Sequence, residues 1–257
     1  MIDNKILEEY SSKLKIDKFT VLREYLQIVF LNHAYKSMQS EKLVFKGGTA
    51  IRLMYQSPRF SEDLDFNSKL KVKEVKSLIS DSIESAKKTI PGLYFKELKV
   101  LQGYSAKIYF DTEISPMPLT IKLDFSFRDE ESLDVLQKTI PTEFPVQSYS
   151  LIKVMSEAEI FAEKIRTVFQ RSKGRDLYDI WYLLNKKVDV RPDFIKAKME
   201  LIDIYFDKDK FFDKIRKYKQ SDLEKDLFKF LPNDQRDIVY ELKNLIVNSD
   251  GMKNLDD

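Results

Sequence analysis

Between residues 43 and 66 the hydrophobic period changes twice, and this restricts the fold more than any other feature of the chain. Leu43-Val44-Phe45 is a short apolar run that leads into Gly47-Gly48. Ala50, Ile51, Leu53, Met54 and Tyr55 then recur at helical spacing until Pro58, after which Asp63 to Phe66 alternates polar and apolar. These periods predict a strand, a glycine turn, a helix and a second strand with one wet side and one dry side.

The same reading extends in both directions. Phe19, Leu22, Leu26, Val29, Phe30 and His33 form an apolar stripe that predicts an amphipathic helix over 17–38, with His33 as a packed or half-buried core residue. A helix is predicted over 71–90, and strand-like runs follow at 93–101, 105–112 and 117–127, separated by Gly103, Pro116 and Pro118. With 43–46 and 62–67 these make a mixed sheet of about five strands. After Pro141 and Pro145 nearly every segment from about 150 to 247 has helical periodicity, interrupted at Gly174, Pro192 and Pro232. The expected organisation is α+β, with an α/β domain over 1–148, a helical C-terminal domain over 149–257, and a polar, frayed tail from Ser249.

Composition excludes several chemistries. At 257 residues the chain is long enough for a substantial core. The absence of cysteine removes disulfides, thiolate metal sites and thiol nucleophiles, and a single histidine removes the usual zinc sites and triads. Catalysis would have to come from carboxylates, Lys, Arg, Ser, Thr or Tyr. The first residues lack the order of a signal peptide, and no apolar run reaches the ~20 residues of a membrane span, so a cytoplasmic protein without membrane association is expected. A net charge of +2 supplies no global field for nucleic acid, so a phosphate-binding surface must be local.

Three clusters could carry chemistry. In Lys46-Gly47-Gly48-Thr49 the glycines let the backbone approach a ligand, and the N–H groups of the turn and helix start would face an anion such as a triphosphate. A purely structural turn is the alternative. Asp63 and Asp65 share one side of a strand about 7 Å apart, a spacing at which two carboxylates can share a hard cation; acids on a solvated edge are the alternative. In Ile121-Lys122-Leu123-Asp124-Phe125, alternation puts Lys122, Asp124 and Ser126 on one side. If that strand lies beside the Asp63 strand, three carboxylates converge, enough to hold the two Mg²⁺ ions of in-line phosphoryl chemistry. Further on, Lys164 and Arg171 share a helix face, Gly174 can end that helix, and Asp176 and Asp179 open the next. A solvated basic face followed by an Asp cap is the alternative there.

Taken together, Phe45-Lys46-Gly47-Gly48-Thr49-Ala50-Ile51-Arg52, Arg59-Phe60-Ser61-Glu62-Asp63-Leu64-Asp65-Phe66, and Glu163-Lys164-Ile165-Arg166 through Gly174-Arg175-Asp176-Leu177-Tyr178-Asp179 resemble the AbiEii/AbiGii (MenT-like) nucleotidyltransferase toxins. The resemblance implies a DNA polymerase β-like nucleotidyltransferase core, a mixed sheet flanked by helices, followed by a helical domain. It implies transfer of a nucleoside monophosphate from an NTP with release of pyrophosphate. The implied acceptor is RNA, a tRNA 3′ end in characterised relatives, and the implied partner is an antitoxin encoded nearby.

Carried onto this sequence, the resemblance has Gly47, Gly48 and Thr49 hold the triphosphate and Asp63 and Asp65 bind Mg²⁺. Asp124 completes the metal site and helps deprotonate the acceptor hydroxyl. Lys164 neutralises triphosphate charge, with Asp176 orienting it. Arg59, Ser61, Arg166 and Arg175 belong to the same matches without an assigned step. Two other functions stay open: the same transfer to a protein or small-molecule hydroxyl, and nucleotide binding without catalysis. Retention of all three acids argues against the second of these.

Overall fold

The computed structural model describes residues 2–127, 132–146 and 149–252. Residues 253–257 of the expected frayed tail lie outside them. The chain divides into two compact units, Met1–Met155 and Ser156–Asp257.

The first unit contains α1 (Asn4–Leu14), α2 (Lys18–Ala34), β1 (Leu43–Lys46), α3 (Gly47–Tyr55), β2 (Leu64–Ser68), α4 (Val72–Lys87), β3 (Tyr94–Leu98), β4 (Tyr104–Phe110), β5 (Leu119–Ser126), β6 (Val135–Lys138) and β7 (Ile152–Met155). The strands form one mixed sheet in the order β3-β4-β5-β2-β1-β7-β6. β2 pairs parallel with β5 and β1 parallel with β7, while the other neighbours are antiparallel.

Seven strands replace the expected five or so, because β6 and β7 were not anticipated. β7 is a buried four-residue run inside the stretch expected to be helical, and periodicity over so few residues cannot separate strand from helix. β6 is exposed at nearly every position and shows no alternation to detect. The five expected strands are present as β1 to β5.

Alternation in the central strands gives the sheet its two chemistries. Phe45, Phe66 and Phe125 lie in register across β1, β2 and β5, with ring centroids 5.5 Å and 4.9 Å apart, and all three are buried. The intervening positions, Lys46, Asp65 and Asp124, are half-buried and lie on the opposite face.

α2 starts at Asp17, whose carboxylate accepts from the Thr20 N–H at 2.9 Å. It packs against α1, α4 and β5. A one-sided stripe was expected, but α2 is buried on nearly every side, including Arg23, Glu24 and Gln27. Buried polar side chains on a helix require partners, and those of α2 turn out to serve the candidate site. His33 is half-buried, with Nδ1 2.9 Å from the Ser85 hydroxyl.

The second unit is helical among its described residues: α5 (Glu157–Gln170), α6 (Gly174–Asn185), α7 (Pro192–Glu200), α8 (Lys208–Arg216), α9 (Gln220–Leu227) and α10 (Ile238–Val247). Three of its breaks fall at or beside the expected interruptions Gly174, Pro192 and Pro232, while those at 201–207 and 217–219 contain neither glycine nor proline. Gly174 opens α6 and Pro192 opens α7, where the missing N–H costs nothing. α6 packs against α5, α9 and α10, and α5 against α7 and α8. Among the described residues no helix is long and apolar enough to cross a membrane.

Candidate active site

In the first unit two of the three expected acids, Asp65 and Asp124, meet on the polar face of the sheet. Parallel pairing sets Asp65 beside Asp124 in the same register, and antiparallel pairing sets Lys46 beside Asp65. Adjacent strands lie about 4.8 Å apart, so the two carboxylates are nearest neighbours on one face. Asp63 comes two residues before Asp65, just ahead of β2.

The turn between β1 and α3 abuts these acids. Gly47 has φ +78°, and a Cβ built on it would lie 2.3 Å from Asp65 Oδ2. Both the backbone conformation and the space therefore call for glycine. Gly47→Ala is expected to destabilise the unit by ~1–2 kcal/mol, the cost of a left-handed residue with a Cβ, and to push the Asp65 carboxylate from its position. A denaturant midpoint equal to that of the wild type would show that the turn relaxes without cost.

Gly48 has a different neighbour. Its Cβ would lie 2.5 Å from Arg59 Nη2 and 3.2 Å from Ser61 Oγ. Arg59 and Ser61, which the motif match left without a step, are thus brought against the turn. Arg59 is 2% exposed and donates from Nη1 to the Phe60 carbonyl at 2.8 Å, so its guanidinium braces the segment ahead of Asp63. The buried Thr49 hydroxyl donates to the Asp63 carbonyl, tying the start of α3 to the first acid. At the N-terminus of α3, Lys46 provides no side-chain cap, an arrangement compatible with an anion there.

The irregular segment leading to Asp63 is held by side chains that sequence reasoning passed over. Arg52 Nη1 donates to the Ser57 carbonyl at 2.8 Å and Gln27 Nε2 to the Ser61 carbonyl at 3.1 Å. Arg52 in turn forms a two-point bond with the buried Glu24, at 2.6 and 2.9 Å, and stacks 3.9 Å from the Phe60 ring centroid. Arg23 reaches Glu62 at 3.2 Å. The available signal was polar residues on a helix with an apolar pattern. These side chains satisfy backbone carbonyls that no strand ladder reaches.

Lys122 is the other residue whose importance only the structure reveals. Its Nζ lies 2.7 Å from Asp124 Oδ2, and Ser105 donates to Asp124 Oδ1. Burial pulls the Lys122 pKa down. The bond to Asp124 and the charges of Asp124, Asp63 and Asp65 more than compensate, leaving it raised. The three acids therefore act together on one cation. Among the described residues no three acidic or histidine side chains are gathered as metal ligands, and Asp124 is engaged by Ser105 and Lys122. The donors are nonetheless all oxygens, as a hard cation requires, and an ammonium already stands in for one. The set fits Mg²⁺.

In the second unit the Lys164 motif forms a buried ionic cluster. Lys164 Nζ lies 2.9 Å from Asp176 Oδ1 and 2.8 Å from Asp179 Oδ2, and Arg171 clasps Asp176 at 2.8 and 3.1 Å. Lys164 is 8% exposed and Asp179 is fully buried, so this is no solvated basic face. Burial would push the Asp176 carboxyl up, but Lys164 and Arg171 hold it well below the usual carboxylate range. The Gly174 N–H donates to Asp226 Oδ2 at 2.8 Å. Arg166 is buried with Nη2 3.9 Å from Glu163, and Arg175 lies 5.0 Å from the Phe230 ring centroid. Tyr178 of the same motif is fully buried in the core.

Comparison with known proteins bears on the fold and the family. JHP933 of Helicobacter pylori is 21% identical over 94% of this chain and 95% of its own, with a TM-score of 0.56. MenT4, a nucleotidyltransferase toxin of Mycobacterium tuberculosis H37Rv, is 15% identical over 99% of this chain and 91% of its own, with a TM-score of 0.60. At these identities the likeness speaks for the fold. No curated protein matches the sequence significantly. The profile of the family described as nucleotidyl transferase AbiEii toxin, type IV TA system, matches residues 29–243. The chain therefore belongs to the AbiEii nucleotidyltransferase toxin family of type IV toxin–antitoxin systems.

Proposed function

We propose that this protein transfers a nucleoside monophosphate from an NTP to an RNA acceptor, a tRNA 3′ end in the fullest reading, and that a cognate antitoxin restrains it in the cytoplasm. The supporting observation is the register that sets Asp65 beside Asp124 next to the Gly47 turn. In this reaction the acceptor oxygen attacks the α-phosphorus, the bond to pyrophosphate breaks, and the hydroxyl proton must be taken up. Asp124, beside Asp65 on the neighbouring strand, is the group we assign to receive it.

Asp63, Asp65 and Asp124 would hold Mg²⁺, two ions in the full reading, whose charge would offset that developing on the phosphoryl oxygens. The N–H groups at the start of α3, at Gly47, Gly48 and Thr49, would receive phosphate oxygens. Arg59, Ser61 and the Thr49 hydroxyl are assigned to holding Asp63 and the turn in place. Lys164 and Asp176 remain proposed contributors through their motif, with Arg166 and Arg175 as supporting residues.

The test is direct. Purified protein is incubated with each labelled NTP and Mg²⁺, first with total cellular RNA and then with protein extract. Label in a discrete RNA band is expected, and an excess of EDTA should remove it. Label in protein alone would redirect the same chemistry to a protein hydroxyl. Label in neither would leave a nucleotide-binding protein without transferase activity.

A further inference from the structure

We propose that Lys122 is the resident counter-ion of the acid cluster, and that its ammonium competes with a divalent cation for Asp124. The inference rests on the assignment of Asp63, Asp65 and Asp124 as cation ligands. It concerns a side chain to which neither the family motifs nor the proposed reaction assigns a metal-binding role.

Geometry carries the argument. Lys122 and Asp124 are two residues apart on β5 and so share its polar side, with Nζ 2.7 Å from Oδ2. The second Asp124 oxygen already accepts from Ser105. A cation that takes an oxygen of Asp124 therefore meets either a neutral hydroxyl, which can rotate, or an ammonium, which repels it. Side-chain exposures of 37% for Lys122 and 31% for Asp124 leave the four-carbon stem room to swing away. The pair differs from an ordinary surface salt bridge in that Asp65 neighbours Asp124 on the next strand, so the ammonium offsets repulsion among several carboxylates. Without a metal, Lys122 holds the acids together. Once a metal is bound, the same charge opposes it.

The experiment measures Mn²⁺ binding to metal-free protein without nucleotide, by calorimetry and by the paramagnetic resonance of free Mn²⁺. Lys122→Met is expected to tighten Asp65-dependent Mn²⁺ binding by about tenfold, the effect of removing a close positive charge at a half-exposed site. Lys122→Gln, a second neutral variant, should behave alike, and Lys122→Arg should stay near wild type. The metal-free melting temperature of Lys122→Met should fall and be recovered by Mn²⁺.

Unchanged or weaker Mn²⁺ binding in both neutral variants overturns the proposal. Weaker NTP binding with unchanged Mn²⁺ affinity would instead assign Lys122 to phosphate. If Asp65→Asn removes Mn²⁺ binding but the Lys122 variants leave it unaltered, only this inference falls. If wild type shows no Asp65-dependent Mn²⁺ binding, the metal-site assignment fails as well.

Discussion

Asp65→Asn is expected to abolish nucleotidyl transfer while the protein folds as well as the wild type, or slightly better. The two halves of that outcome come from one arrangement. Asp65 lies beside Asp124 and two residues from Asp63, so without a metal its repulsion of these two acids offsets its attraction to Lys122, and neutralising it costs the fold little on balance. For a divalent cation and the phosphates it would neutralise, the same charge is indispensable. Loss of an outer partner of a metal typically costs about 10–100-fold, and loss of a direct ligand should exceed the upper end of that range. Initial rates of labelled NMP transfer measure the first half and thermal melting the second. A variant with more than a few per cent of wild-type transfer would remove Asp65 from the reaction. A variant that unfolds would make Asp65 a structural acid, held by the contact with Gly47.

What was legible in the sequence is whatever depends on neighbours along the chain. β2 and β5 could be read because polar and apolar residues alternate along each, and that alternation also put Lys122 with Asp124. The glycine turn could be read because Gly47 needs φ +78°. The register that sets Asp65 beside Asp124 could not be, because strand order is a long-range property. It entered only as a condition, met by the parallel pairing of β2 and β5. The service of α2 to the site was hidden for a related reason. Arg23, Glu24 and Gln27 look like the polar face of a helix, and only burial shows that they bind Glu62, Arg52 and the Ser61 carbonyl. β6 and β7 escaped because one is exposed at nearly every position and the other is a buried run of four residues.

Lys164→Ala is expected to destabilise the second unit severely, whatever else it does. The ammonium is bonded to two carboxylates of α6, Asp176 and Asp179, which are 1% and 0% exposed. Arg171 continues to hold Asp176 after the substitution, but both buried acids lose the ammonium between them. Breaking a buried ion pair from one side costs ~3–5 kcal/mol, because the remaining charge stays desolvated. For a helical unit of this size that corresponds to a fall in melting temperature of at least about 10 °C. Lys164→Arg should recover part of the loss, since a guanidinium keeps the charge but not the reach. Lys173→Ala, at the exposed residue before α6, should change little. The acid limb of the stability curve gives an independent check. Asp176 has its folded pKa depressed below the ordinary value of 3.8, so its contribution is present above that pH and is lost as the pH falls through the folded value. Lys164→Ala should shrink that contribution and flatten the acid limb. Any catalytic part played by Lys164 then has to be read at a temperature where the variant is fully folded. There, a kcat lower by about 100-fold, against little change for Lys173→Ala, would mark an ammonium that also stabilises triphosphate charge. Full transfer by folded Lys164→Ala would leave the motif as the ionic core of the helical unit, and equal, mild melting shifts in both variants would remove even that role.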